Sequence, residues 1–325
     1  MISVLIPVHN GEAFLLDALE SVENQTFRNF EAVIVESESE DDSPAICDSW
    51  CRAHSRFRVI HKDYDRGVSV SRNEALAVAR GEYIKFLDAD DAYVPEALDT
   101  MYRVMEETEA DVVCCGYSTF TGEAQFNESP SFDKAEPTVM TGREFSEGPM
   151  LSGDSHCWGK LFRRDVIGDR LFPEGITIGE DMLFVLSVML DCRKAVTVYD
   201  YEGYRYRTNP QGAMLKPFTS AAMDQITCWE KAAEMTGHTD KMDSIIVTNA
   251  VLTASRIAQL PAEEKGIYKK ELEECRKAVR RYYRPSVRPL LPEGYPAKTD
   301  LIRLSAGMYS QLYGVMTSGK NQKNE

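Results

Sequence analysis

Residues 83–91, Tyr-Ile-Lys-Phe-Leu-Asp-Ala-Asp-Asp, join a short apolar run directly to three carboxylates. Residues 83–87 are typical of a strand buried on both faces of a parallel sheet. Asp88 and Asp90 flank one small residue and can face the same space, where a hard divalent cation prefers oxygen ligands. The segment therefore predicts a metal site where a buried strand ends. The alternative is an acidic turn that caps the following helix, with Asp91 as the cap.

Similar apolar runs recur through residues 1–117 and alternate with helical patterns. One helix is predicted to begin near Pro44, and another covers Ser71–Arg80 with Gly81 as its stop. This alternation predicts an α/β fold with a doubly wound, mostly parallel sheet and right-handed crossovers. Ligands of such folds bind beyond the carboxyl ends of the strands. The predicted strands are Ile2–Val8, Ala32–Val35, Arg58–Ile60, Tyr83–Leu87 and Val112–Cys115.

The rest of the chain suggests a second part. Residues 118–157 are rich in polar and turn-forming types, and we interpret them as a loop-bearing insertion near the site. An amphipathic helix is predicted from about Glu180 to Leu190, and from Phe218 the pattern is helical to about Tyr283. We therefore expect a ligand-binding and catalytic domain at 1–215 and a helical C-terminal region at 216–325.

Charge and composition exclude several classes of partner. The net charge is −15, from 37 basic and 52 acidic residues, which argues against nucleic acid or an anionic bilayer as the main partner. An anionic small molecule remains compatible, because a bound cation can supply positive charge locally. No apolar run reaches the length of a transmembrane helix, and residues 1–14 do not resemble a signal peptide. We expect a cytoplasmic protein with reduced cysteines.

A stripe of apolar side chains marks the C-terminal region. Leu304, Met308, Leu312 and Met316 fall on one face of a predicted helix. Such a stripe indicates a core or homodimer interface more often than a bilayer anchor. The C-terminal helices are therefore predicted to contact the acceptor, a second copy of the chain, or the inner face of the membrane as a peripheral surface.

Five segments, in order and spacing, together resemble family 2 glycosyltransferases, which are inverting enzymes with the GT-A fold. The likeness covers about residues 1–210, and its last two segments match the bacterial cell-surface polysaccharide branch. It implies transfer of a sugar from a nucleotide-diphosphate donor, foremost a UDP-sugar, to a hydroxyl of a glycan or lipid-linked acceptor. The segments are Val4–Asn10, Ser71–Asn73, Asp88–Asp91, Trp158–Arg164 and Phe172–Asp181.

The resemblance also implies a role for each matched residue. Asp181 would be the catalytic base. Asp90 would bind Mn²⁺ or Mg²⁺ directly, and Asp88 would bind the ribose and also contribute to the metal site. Tyr204–Arg207 would lie near the diphosphate or the acceptor. The nucleotide-sugar would contact Pro7, Val8, Asn10, Glu36, Arg72, Asp88, Ala89 and Lys160, and the acceptor would contact His156, Trp158 and Glu180.

Physical chemistry supports two interpretations of the Glu180-Asp181 pair. Acidic residues at the start of a helix are favoured by the helix dipole whatever the function. Inversion, however, requires a base that takes the proton of the attacking hydroxyl, and no His, Ser or Cys constellation competes for that role.

The chain departs from the family pattern after the second strand. The family usually has two aspartates and a glycine there, whereas this chain has Glu36, Ser37 and Glu38. Asp65 also replaces an asparagine that is common before Gly67. The Glu36 side chain is one methylene longer than aspartate and can still contact the nucleotide base from a shifted position. The loss of the glycine changes the freedom of the backbone. The donor nucleotide is left open between UDP and GDP.

Other function classes lack their motifs. The turn His9-Asn10-Gly11-Glu12 has a single glycine, which excludes a GxGxxG dehydrogenase, and no GxxxxGK[ST] segment indicates a P-loop kinase. The remaining alternative is a non-catalytic nucleotide-sugar or glycan-binding protein on the same fold, which the altered Glu36–Glu40 segment favours. Fold alone does not decide between the two.

Overall fold

The computed structural model describes residues 1–122, 136–208 and 218–321, with side chains up to 313. The chain forms two compact units. The first contains Met1–Gly175 and Glu180–Leu215, and the second contains Ile176–Gly179 and Lys216–Glu325. The short segment Ile176–Gly179 is part of the second unit, and the backbone amide of Thr177 donates to Asp224 Oδ2 at 2.7 Å. The boundary after residue 215 stays a prediction.

The first unit is built on an eight-stranded sheet of order β3-β2-β1-β4-β9-β6-β10-β8. Strands β8 and β9 run opposite to the others, so the predicted mostly parallel sheet is confirmed. A second sheet has the order β5-β11-β7. The strands are β1 Ile2–Val8, β2 Phe30–Ser37, β3 Phe57–Lys62, β4 Tyr83–Phe86, β5 Ala92–Tyr93, β6 Val112–Cys115, β7 Tyr117–Phe120, β8 Thr138–Met140, β9 Lys160–Arg163, β10 Ala195–Val198 and β11 Tyr204–Arg207.

Register places the site at one edge of the large sheet. Val8 at the end of β1 lies opposite Glu36 of β2, and Leu5 lies opposite Phe86, the last residue of β4. The strands β1 to β4 are parallel, so the loops that follow them meet at the same edge, and β1, β2 and β4 are buried along most of their length.

The helices of the first unit cover the sheet, and α3 packs on β1 and β2. Helix α3 begins three residues before the predicted Ser71, directly after Gly67, whose φ of +87° suits glycine. It ends at Val78, so Gly81 is not its stop. Gly81 is required for a different reason, because a Cβ there would lie 2.5 Å from the backbone nitrogen of Ser3. The helices are α1 Leu15–Glu23, α2 Ser43–Ala53, α3 Val68–Val78, α4 Ala97–Thr108, α5 Gly142–Glu147, α6 Arg164–Ile167 and α7 Glu180–Met189.

The predicted loop-bearing insertion at 118–157 is wrong where the structure describes it. Strands β7 and β8 and helix α5 lie in or overlap this segment, and residues 123–135 lie outside the described part. Thr141 and Glu144 form a capping box that starts α5. The strands were missed because β7 and β8 expose much of their length and therefore carry polar residues.

The second unit is helical, as predicted, and its helices extend past Tyr283. Helix α9 packs against α8, α11 and α13. Among the described residues no helix is both long and apolar enough to cross a bilayer. The helices are α8 Asp224–Thr236, α9 Asp240–Gln259, α10 Ala262–Lys265, α11 Lys269–Tyr282, α12 Tyr295–Leu304 and α13 Ala306–Asn321.

The C-terminal apolar stripe is exposed. Leu304 is 74% exposed, and Met308 and Leu312 are also on the surface, so the core interpretation is wrong for these three residues. The chain leaves α12 at Leu304 and restarts as α13 at Ala306, which turns the neighbouring Tyr309 inward instead. The side chain of Met316 lies outside the described residues.

Candidate active site

The acidic segment after β4 divides into one structural and two accessible carboxylates. Asp91 is buried, accepts a hydrogen bond from the Tyr204 hydroxyl at 2.6 Å and accepts the backbone amide of Arg207 at 2.7 Å. Burial, with the charges of Asp88 and Asp90, raises the pKa of Asp91 to about 8. Asp91 therefore fastens the segment to β11 and does not cap the next helix.

Asp88 and Asp90 remain at the sheet edge. Asp88 Oδ1 accepts a hydrogen bond from Arg72 Nη2 at 2.8 Å. The Asp90 carboxylate has no hydrogen bond or ion pair with any other residue that the structure describes, and burial and the charge of Asp88 raise its pKa. An acid in this setting gains from a cation, which replaces the lost hydration and offsets the repulsion.

A divalent cation here would have few protein ligands. No group of three or more His, Cys, Asp or Glu residues able to hold a metal occurs in the described part of the chain. The predicted triplet thus supplies two carboxylates, Asp88 and Asp90. Because Mg²⁺ is commonly held by one or two carboxylates together with substrate phosphates, this pair fits a metal that binds with the nucleotide.

Arg72 connects the acidic segment to the start of α7. Its guanidinium is buried, and Nη1 donates to Glu180 Oε1 at 2.9 Å while Nη2 holds Asp88. The guanidinium carbon lies 5.2 Å from the centre of the Phe172 ring. Asn73 adds two hydrogen bonds to the Phe172 backbone, of 2.7 and 2.9 Å. Helix α3 therefore brings two separate acidic motifs to one place.

Asp181 lies at the first turn of α7 beside His156. Its Oδ1 accepts the backbone amide of Met182 at 2.8 Å, and its Oδ2 lies 3.6 Å from His156 Nδ1. Burial raises the pKa of Asp181, but the contact with His156 and the charge of Arg72 outweigh it, and the net pKa is lowered. Burial and the Asp181 charge raise the pKa of Glu180. The Asp181 carboxylate therefore stays ionised to lower pH than that of Glu180, and an ionised carboxylate can accept a proton.

A row of stacked rings links the two acidic motifs a second time. The His156 ring stacks on Trp158 with centroids 4.6 Å apart, and Trp158 stacks on Tyr204 at 4.3 Å. The Tyr204 hydroxyl in turn binds Asp91. Residues 156–158 and β11 thus form a continuous frame from Asp181 to the acidic segment.

Two predicted diphosphate contacts have other partners. Lys160 is fully buried, and its ammonium binds Asp154 and the carbonyl oxygen of His156. Arg207 is also buried and donates from Nε to the carbonyl oxygen of Asp90 at 2.7 Å. Since both cations are used inside the protein, we do not carry Lys160 or Arg207 forward as donor contacts. The sequence did not show these partners, because a basic residue near a site looks the same in sequence whether its side chain points inward or outward.

The loop after β1 is tied to the loop after β2. Pro7 and Val8 are buried at the end of β1, and Asn10 is exposed with a φ of +51°. Asn10 Oδ1 accepts the backbone amide of Glu40 at 2.8 Å. A Cβ on Gly11 would lie 3.6 Å from the Cβ of Ala89, so this loop also packs against the acidic segment.

Glu36 is buried, and both of its carboxylate oxygens have partners. Oε1 accepts the backbone amide of Ser39 at 2.9 Å, and Oε2 pairs with His61 Nδ1 at 2.7 Å. His61 Nε2 lies 3.2 Å from Asp48 Oδ1. If Glu36 also contacts the base of the nucleotide, it must do so while it keeps these two hydrogen bonds. Sequence reasoning missed His61 and Asp48, although the position of His61 near the carboxyl end of β3 was a usable signal.

Glu38 has a backbone conformation that favours glycine. Its φ is +48°, in the left-handed region, although a residue with a side chain loses about 1–2 kcal/mol there. The Glu38 side chain accepts the backbone amide of Asp65 at 3.0 Å. The loop therefore holds a charged side chain at a position whose backbone conformation favours glycine.

These features agree with the comparison to known proteins. The family model "Glycosyl transferase family 2" matches residues 3–171, more than half of the chain. The chain belongs to glycosyl transferase family 2. A curated relative, the uncharacterized glycosyltransferase EpsJ of Bacillus subtilis, is 29% identical over 232 residues, which cover 69% of this chain and 66% of EpsJ. The alignments cover 66%, 48% and 40% of the first three curated relatives.

Solved structures support the fold. S. aureus TarS 1-349 in complex with UDP-GlcNAc has a TM-score of 0.74 and 20% identity, covering 98% of this chain and 92% of that chain. The mannosyltransferase PcManGT of Pyrobaculum calidifontis, in complex with GDP-Man and Mn²⁺, has a TM-score of 0.56 and 16% identity, covering 97% and 86%. At these identities the likeness establishes a shared GT-A architecture.

Proposed function

We propose that this chain is an inverting glycosyltransferase that moves a sugar from a nucleotide-diphosphate donor to a hydroxyl of a glycan or lipid-linked acceptor. Its base is Asp181, and its metal ligands are Asp90 and Asp88. The observation that carries the proposal is the Arg72 bridge, which binds Asp88 at 2.8 Å and Glu180, the neighbour of Asp181, at 2.9 Å. The bridge holds the leaving-group side and the base side of the reaction within one rigid cluster.

The residues fit an in-line displacement. A bound Mn²⁺ or Mg²⁺ supplies charge stabilisation to the departing diphosphate. The acceptor oxygen forms a bond to the anomeric carbon, and the bond from that carbon to the diphosphate oxygen breaks, with the electron pair leaving on the phosphate. The hydroxyl proton passes to the Asp181 carboxylate, whose lowered pKa keeps it ionised before the step. Glu180, held by Arg72, serves as a positioning residue rather than an acceptor contact.

A UDP-sugar is the preferred donor, and Mn²⁺ or Mg²⁺ is the preferred metal. Support comes from the two solved structures of the same architecture, one with UDP-GlcNAc and one with GDP-Man and Mn²⁺. Pro7, Val8, Asn10 and Ala89 surround the expected base and ribose position, and His156 and Trp158 line the acceptor side. We further propose that the reaction takes place in the cytoplasm, with the exposed stripe of Leu304, Met308 and Leu312 as the surface for a second copy or the inner membrane face.

Nucleotide release separates this proposal from the non-catalytic alternative. Purified protein is incubated with Mn²⁺ and a panel of UDP- and GDP-sugars, with and without glycan acceptors, and free UDP or GDP is measured. We expect release by the wild type. Asp181→Asn should reduce release by about 10²–10⁴-fold while it keeps donor binding, because general base catalysis contributes that much. Asp90→Ala should lose both metal-dependent binding and release.

Asp169→Asn is the matched control, because Asp169 is exposed and lies away from these contacts. Its activity should equal that of the wild type. Donor binding without turnover across all donors, acceptors and metals would instead favour a nucleotide-sugar-binding protein.

A further inference from the structure

His156 lies between the proposed base and an aromatic platform. Its Nδ1 is 3.6 Å from Asp181 Oδ2, and its ring stacks on Trp158 with an angle of 12° between the ring planes. The Trp158 ring is buried and stacks in turn on Tyr204. The imidazole can therefore move little, while 41% of its side chain stays open to solvent.

Two buried lysines hold the backbone that carries His156 and Trp158. Lys160 Nζ donates to the carbonyl oxygen of His156 at 2.7 Å, and Lys85 Nζ donates to the carbonyl oxygen of Trp158 at 3.3 Å. Both lysines are fully buried, on adjacent strands β9 and β4. Asp154 pairs with Lys160 and accepts the Tyr199 hydroxyl at 2.6 Å.

Burying two ammonium groups is unfavourable unless they are well bonded. Among the described residues the hydrogen-bond partners of Lys85 are Met101 Sδ and the Trp158 carbonyl oxygen, and none is a carboxylate. Burial lowers the pKa of Lys85. Such a cation contributes little to stability compared with an apolar side chain of similar size. The two lysines instead fix the position of residues 156–158 through hydrogen bonds to the carbonyl oxygens of His156 and Trp158.

We propose that His156 is a positioning residue that holds the Asp181 carboxylate in one orientation, and that Lys85 and Lys160 fix His156 for this purpose. This inference rests on the proposed function of Asp181. The charged groups that face the pair are Arg72 and Glu180 behind Asp181, and Asp154 on the segment of His156, which Lys160 neutralises.

The pair can be tested in the free protein, without a substrate. His156 is followed by NMR, and its ring signals are assigned by their loss in His156→Gln. In Asp181→Asn the imidazole nitrogen chemical shifts of His156 should change, since the Asp181 carboxylate lies 3.6 Å from Nδ1, and in Asp169→Asn they should stay as in the wild type. Unchanged shifts in Asp181→Asn would overturn the contact.

Kinetics test the positioning role. His156→Phe keeps the stack on Trp158 but cannot bond to Asp181, and we expect kcat for nucleotide release to fall about tenfold, with KM for the donor unchanged. The acid limb of the kcat–pH profile should move to higher pH, because Asp181 loses a partner that favours its ionised form. His156→Gln, which can still donate to Asp181, should recover part of the loss.

His238→Gln is a matched control in the second unit. His238 pairs with Asp243 at 2.9 Å and stacks on Tyr282, so it repeats the chemistry of His156 in the other compact unit. Its kcat and acid limb should equal those of the wild type. A wild-type acid limb and kcat in His156→Phe would overturn the positioning role alone, whereas no turnover by the wild type would overturn the proposed function as well.

Discussion

The guanidinium of Arg72 lies between two carboxylates from different motifs, Asp88 after β4 and Glu180 at the start of α7. Family resemblance implied that Arg72 contacts the nucleotide. In the structure its two terminal nitrogens bind the protein itself and hold Asp88 and Glu180 on one guanidinium. A charged residue at a site can be recognised in sequence, but its partner cannot, because the partner lies 108 positions away.

Removing Arg72 should destabilise the protein strongly. Arg72→Met leaves the buried carboxylate of Glu180 without its cation, and we expect the free energy of unfolding to fall by about 3–5 kcal/mol in urea denaturation. The control is Arg143→Met, whose ion pair with Glu147 is exposed and screened by solvent, so that its loss should change the free energy of unfolding far less. A loss of similar size in the two variants would show that the Arg72 bridge does not organise the cluster.

Strands β2 and β3 and helix α2 meet in a second cluster of charged side chains. Glu36 of β2 and Asp48 of α2 bind the two ring nitrogens of His61 of β3, at 2.7 and 3.2 Å. Both nitrogens can donate only in the protonated ring. The hydrogen bond with Glu36 is the largest cause of the raised pKa of His61, and the bond with Asp48 adds to it.

This cluster should make stability depend on pH. A histidine with a raised folded pKa stabilises the protein fully below about pH 6.5 and loses that contribution as the pH rises through the folded value. His61→Gln should therefore lower the free energy of unfolding more at about pH 5.5 than at about pH 9. Urea denaturation of both proteins at the two pH values measures this. An effect that is equal at both values, or larger at pH 9, would contradict the assignment.

The end of α12 and the start of α13 show what a periodic pattern of apolar residues predicts and what it does not. Leu304 is the last residue of α12 and Met308 and Leu312 belong to α13, so the predicted single helical face is broken at Ser305. All three residues are exposed, while Tyr309 is buried and hydrogen-bonds Ser255 of α9 at 2.6 Å. Periodicity identifies a helix and the spacing of its apolar residues. It does not identify which face the neighbouring helix covers, since that depends on the break at Ser305.

Substitutions on the two faces should differ in effect. Tyr309→Ala should lower the free energy of unfolding by about 3–5 kcal/mol, because it removes a large buried side chain. Leu304→Lys should change it by no more than about 0.5 kcal/mol, because that position is exposed. Thermal and urea denaturation of each variant measure the difference. A large loss in Leu304→Lys would show that the exposed stripe is covered in solution, as a dimer interface would require.

Across the whole molecule, the elements predicted correctly from sequence are those that depend on residues close together in the chain. Buried strands such as Ile2–Val8 and Val112–Cys115 have the predicted bounds, because a run of apolar β-branched residues leaves few alternatives. The exposed strands β7 and β8 were missed, because polar edge strands resemble loops. The sequence also did not show that the Lys160 side chain points into the protein, because only the fold brings its partners, Asp154 and the carbonyl oxygen of His156, next to it.

The central claim is that Asp181 and the Asp88–Asp90 pair face one substrate from opposite sides. The most direct measurement is a crystal structure of Asp181→Asn with Mn²⁺ and an intact UDP-sugar, because this variant should bind the donor without consuming it. The account predicts that Mn²⁺ binds the Asp90 carboxylate and the diphosphate, and that the side chain at position 181 lies on the face of the sugar opposite the diphosphate. A metal bound elsewhere, or a position 181 remote from the anomeric carbon, would contradict it.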